Sequence, residues 1–80
     1  MSLTVTPEFS RLSRRGKLQF QADVVGSEDK SVVWSVREEN GGAIDRNGLY
    51  QAPELPGTYE IVAVAGADET VSASAFVIVE

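Results

Sequence analysis

The chain has 80 residues, 42% of them hydrophobic and 24% charged, with a formal net charge of −5. That composition fits one globular domain spanning residues 1–80 and argues against a disordered chain, and the acidic balance disfavours nucleic acid, whose phosphates draw on Lys and Arg. With no Cys and no His, disulfides, thiol nucleophiles, imidazole bases and the usual zinc sites are all excluded.

No apolar run approaches the roughly 20 residues a membrane helix needs, so no membrane insertion is expected. Met1-Ser2-Leu3 reads as an added leader, and the chain as a module of a longer protein. Thr4 to Thr6 fits a short strand, stopped by Pro7 because proline has no amide hydrogen to give a ladder. Arg11, Arg14, Arg15 and Lys17 cluster within seven positions. They read as a solvated turn before a strand rather than a basic arm for anionic surfaces.

From Lys17 to Val24 the chain alternates, with Leu18, Phe20, Ala22 and Val24 on one face. A period of two marks a half-buried strand. Ser31 to Val36 repeats the pattern, with Val32, Trp34 and Val36 inward and Val33, Ser35 and Arg37 opposite. Short strands fit the neighbourhoods of Ile44 and Leu49-Tyr50. Tyr59 to Ala65 sends Tyr59, Ile61, Ala63 and Ala65 inward, and Val71 to Val79 does the same with Val71, Ala73, Ala75, Val77 and Val79. Between them lie Gly26-Ser27-Glu28-Asp29, Asn40-Gly41-Gly42, Asp45-Arg46-Asn47-Gly48 and Gly66-Ala67-Asp68-Glu69. These residues tolerate positive φ or bond their own backbone. Six or seven short strands joined by such turns predict an antiparallel sandwich.

Trp34 is the only tryptophan, Tyr59 opens a late strand, and Ile61 follows two residues later. This spacing resembles an immunoglobulin-type sandwich, in which a buried Trp packs on a disulfide and a Tyr stands two residues before its second Cys. Phe20 and Ile61 take the two Cys positions here, so an apolar Phe20–Trp34–Ile61 contact is expected in place of the bridge. Its absence removes a constraint worth about 2–5 kcal/mol in small domains. In Leu55-Pro56-Gly57-Thr58-Tyr59 the tyrosine resembles a Greek-key corner, with its hydroxyl returned to a backbone group near Glu54 or Leu55.

The segments "VVWSV" (32–36), "GGAIDRNGLYQAP" (41–53), "PGTYEIVAVA" (56–65) and "VSASAFVIV" (71–79) resemble, in order, those of a bacterial immunoglobulin-like domain. The family occurs in surface adhesins and beside secreted glycan-active enzymes. The resemblance implies an all-β, two-sheet, immunoglobulin-like Greek-key sandwich of about seven strands with no disulfide. It also implies an extracellular or cell-surface bacterial setting, and a structural spacer or adhesion module in a tandem array. An accessory module binding a glycan or a host protein is the alternative, and decoration of a phage particle shares the same fold. Phe76 and Ile78 depart from the pattern, standing where the family more often has Thr or another polar residue.

Asp45-Arg46-Asn47-Gly48 lacks the ligand series and terminal Glu of a calcium loop, and Glu28-Asp29 and Asp68-Glu69 read as solvated turns. No metal or cofactor is expected. The adjacent Glu38 and Glu39 point to opposite faces and so do not flank one bond, and no catalytic residue is expected. With Phe20, Trp34 and Tyr59 inward, Phe9, Tyr50 and Phe76 remain as aromatic platforms for a sugar. Finally, Val33, Val62, Val64, Phe76 and Ile78 place apolar groups on an outer face where alternation predicts polar ones. Such a patch marks an interface with a neighbouring domain or a second copy.

Overall fold

The structure, a computed structural model, describes residues 2–80. Nine strands and no helix occur among these residues: β1 (Ser2–Thr6), β2 (Phe9–Leu12), β3 (Lys17–Gln19), β4 (Gln21–Val25), β5 (Val32–Val36), β6 (Ala43–Ile44), β7 (Leu49–Gln51), β8 (Gly57–Ala65) and β9 (Ser72–Val79). They form sheets with the orders β1-β4, β3-β7-β6 and β2-β9-β8-β5. The protein is all-β, and its pairings are antiparallel except for β2 beside β9.

Alternation sets the core. Along β8, Tyr59, Ile61, Ala63 and Ala65 are buried, and along β9 Ala75, Val77 and Val79 are buried, with Ala73 half-buried. Leu3, Val5, Phe20, Val24, Tyr50 and Ala52 meet them from the other sheets. Ser2 and Leu3, grouped above with an added leader, belong to β1, and Leu3 is in the core. Met1 lies outside the described residues.

Several expectations are corrected. The single strand from Lys17 to Val24 is divided at Phe20, giving β3 and β4. β3 follows β7, but past Gly48 the partner chain turns away and β4 pairs only with β1. The turn is set by Asp45, whose carboxylate accepts the amides of Asn47 (2.8 Å) and Leu49 (3.0 Å). Gly48, at φ 85°, sits with its Cα against the Phe20 carbonyl and the Trp34 ring, where a side chain would collide. β2 was not expected at all. After Pro7 the chain leaves β4 and runs parallel to β9, with the Phe76 amide donating to Glu8 O at 2.9 Å.

Arg11, Arg14 and Arg15 near β2 are exposed, as a solvated turn predicts, and each also has a partner at the surface. Arg11 meets Glu80 at 3.4 Å, Arg14 donates to the Glu80 carbonyl, and Arg15 pairs with Glu54. The body measures 37 × 20 × 17 Å. Ser2 lies opposite Val25 at the end that carries the turns after β4 and β8, whereas Val79 lies opposite Gly57 at the other end.

Candidate interaction surface

Phe20, Tyr59 and Ile61 are buried, and Tyr59 donates its hydroxyl to Leu55 O at 2.8 Å. Tyr50 is not an exposed platform. It is fully buried in β7, donates to Gly41 O at 2.5 Å and sets its ring edge-on to Phe20, with centroids 6.1 Å apart. Burial, then the neighbouring Tyr59 and Glu38, push its pKa up to about 12. Trp34, expected inward, is only half-buried. Its ring packs on Phe20 at 6.2 Å, but its other side opens to an edge of the protein.

The outer face of the four-stranded sheet follows from register. Val33 lies opposite Val64, and Ser35 opposite Val62. Across β8 and β9, Val64 faces Ser72, Val62 faces Ser74, Glu60 faces Phe76 and Thr58 faces Ile78. On the far side Phe9 stands beside Phe76 and Arg11 beside Ile78. Residues directly opposite have Cβ atoms about 5 Å apart, and diagonal neighbours about 7–8 Å. The expected five-residue patch is therefore two lobes. One contains Val33, Val62 and Val64; the other contains Phe76, Ile78 and Phe9. Val62 and Phe76 are linked only diagonally. The Arg37–Glu60 ion pair, at 3.3 Å, sits beside that link. Val33 (64%), Phe9 (58%) and Phe76 (43%) are the most exposed members, while Val62, Val64 and Ile78 are half-buried. Phe9 was missed as part of this face because β2 was not expected.

A second surface feature was not anticipated. An open groove of about 460 Å³ lies between β4 and β5, lined by Phe20, Ala22, Val32 and Trp34, with Lys30 and Arg46 at its rim. Among the described residues no carboxylate lines it. Ladder geometry fixes what its walls offer. Gly66 donates to Ser31 O and Arg37 to Glu60 O, both at 2.9 Å. In an antiparallel ladder the residues of bonded pairs alternate with residues that point away. Ser31, Val33, Ser35 and Arg37 therefore bond β8, and Val32, Trp34 and Val36 turn their N–H and C=O groups outward. On the facing wall, Phe20 donates to Gly48 O at 2.8 Å, so the same parity directs Ala22 and Val24 into the groove. On this wall the Gln19 side-chain amide donates to Phe20 O at 2.8 Å, and the Lys30 ammonium donates to Val24 O at 2.8 Å.

The carboxylates near the turns have structural partners. The Ser31 hydroxyl and then its amide hold Asp29 below its ordinary pKa, and Thr70 does the same for Asp68. Glu38 accepts the Glu60 amide at 2.8 Å. Compared with known proteins, the chain matches no family model and no curated sequence.

Proposed function

We propose that this chain is a bacterial immunoglobulin-like domain acting as a non-catalytic spacer or adhesion module of a secreted or cell-surface protein. The observation that carries this reading is the placement of Ser2 and Val79 at opposite ends of a body 37 Å long. A module with that polarity separates its neighbours by its own length. Two features support the two-sheet Greek-key form. β3 and β4 are separated by Phe20 alone, whose amide still bonds Gly48, so β1, β4/β3, β7 and β6 read as one sheet facing β2-β9-β8-β5. The hydroxyl of Tyr59 closes the corner at Leu55. The outer-face residues Val33, Val62, Val64, Phe76 and Ile78, joined by Phe9, would contact a neighbouring domain or a second copy. Scattering from chains of one, two and three fused copies tests the reading. Maximum dimension should grow by about one long axis per copy; side-by-side packing with little growth would contradict it.

The register pairing of the exposed Phe9 and Phe76 favours a second reading, an accessory module for a glycan or host protein. Titration of glycans against wild type and Phe76→Ala separates the two. Binding lost in the variant supports the accessory role.

A further inference from the structure

We propose that the groove between β4 and β5 is a binding site for an extended acidic polypeptide, which adds as a strand to the free edge of β5. This goes beyond the spacer role, because the module separates its neighbours whether or not the groove is filled.

Three independent observations meet at this place. The first is main-chain capacity. Val32 and Trp34 direct two N–H and two C=O groups into the groove, and among the described residues none has a partner. An unpaired edge of this kind is a template for another strand. At the Val36 end, β6 closes in on β5 without sharing ladder bonds, which confines the open edge to the Val32–Trp34 half. On the opposite wall Gly48, Gln19 and Lys30 already hold the Phe20 amide, Phe20 O and Val24 O, which leaves β5 with the longer uninterrupted run of free groups.

The second observation is an apolar floor. Trp34 and Val32 are half-buried beside the buried Phe20. Alternate side chains of an added strand would point down onto this floor. The volume of about 460 Å³ falls within the roughly 300–1,000 Å³ of sites that hold small ligands.

The third is charge. The protein carries a net −5, yet the groove presents Lys30 and Arg46 with no carboxylate among its described lining residues. Arg46 has no ion-pair partner among the described residues, unlike Arg11, Arg15 and Arg37. An acidic residue on the incoming strand supplies that partner. A neutral glycan would satisfy neither Arg46 nor the four main-chain groups in register.

Trp34, the only tryptophan, reports directly on occupancy. The isolated domain is used to select binders from a phage-displayed library of random twelve-residue peptides. Enriched sequences are synthesised and titrated at low ionic strength while Trp34 fluorescence is followed. The expected winners alternate apolar and polar residues and carry Asp or Glu. On binding, amide exchange at Val32 and Trp34 should slow on the order of tenfold or more, because these hydrogens become paired. Arg46→Glu, an exposed change that leaves the core intact, should weaken binding about tenfold. Val32→Pro, at the first position of an edge strand where proline is tolerated, should abolish it while circular dichroism confirms the fold. Arg46→Glu alone, with exchange at Val32 and Trp34, decides the matter if Val32→Pro unfolds. The proposal is overturned if no acidic alternating peptide is enriched, or if peptides bind without protecting these two amides. It is equally overturned if a glycan array yields the only ligand that moves Trp34 fluorescence.

Discussion

Replacing Tyr50 by Phe removes one oxygen from the centre of the core and nothing else. The ring keeps its edge-on packing against Phe20, and only the 2.5 Å bond to Gly41 O is lost. The residues at both ends of that bond are buried. A typical hydrogen bond contributes about 0.5–1.5 kcal/mol net, but a buried carbonyl left without its donor costs about 1–3 kcal/mol. The larger figure governs here, because water has no path to Gly41 through a fully buried side chain. Tyr59→Phe serves as the control. Its hydroxyl bonds Leu55 O at 2.8 Å beside an exposed loop, where solvent can replace it, so about 0.5–1 kcal/mol is expected. Urea unfolding followed by Trp34 fluorescence measures both. With a slope near 1 kcal/mol per molar for so small a domain, the Tyr50→Phe midpoint should fall by about 1–3 M. An unchanged midpoint, or a larger loss in Tyr59→Phe, would refute the claim that losing the Tyr50 hydroxyl leaves the Gly41 carbonyl buried and unpaired.

Gly42→Ala should destabilise by more than about 2 kcal/mol in the same assay, since φ is 97° and a Cβ would run into the Gln51 carbonyl. Phe76→Thr should weaken any self-association seen by sedimentation across concentrations, and a strictly monomeric wild type would restrict the outer face to a neighbouring domain. At high pH the sign follows from Tyr50. Its phenol ionises near 10 when unfolded and about 12 when folded, so stability falls as pH rises from 10 to 12, by on the order of 1–2 kcal/mol. Thermal unfolding at pH 9, 10 and 11 should show that decline in wild type and not in Tyr50→Phe. At low pH, Asp29 and Asp68 have folded values below 3.8. The order of their turns is therefore present above 3.8 and lost as pH falls through the lowered values, which the Ser31 and Thr70 amide shifts will follow.

The long alternating strands were legible because burial on one face leaves a period of two in the residues. Tyr59 to Ala65 and Ser72 to Val79 carry it plainly. β2 did not show itself, since Phe-Ser-Arg-Leu holds one inward apolar residue, Leu12, beside a run of arginines. Its placement rests on the parallel pairing with β9, a long-range contact without a local signature. Tyr50 misled for a related reason. In a three-residue strand between turns, periodicity cannot tell inside from outside, and burial is decided by β3 lying alongside. The outer face was read in composition but not in register. The turn from Gly66 to Val71 sets Phe76 against Glu60 rather than beside Val62, splitting the patch. The groove was invisible because it depends on β7 turning away from β4 past Gly48 and on the unpaired edge of β5, and neither leaves a local signature.

The most direct test of the spacer architecture is the distance between the two ends. Because the chain has no cysteine, Ser2→Cys and Glu80→Cys can carry spin labels without other changes. Pulsed dipolar spectroscopy on the doubly labelled domain should give one distance close to the 37 Å long axis. A distance near the 20 or 17 Å of the short axes would place both ends at one pole and contradict the account.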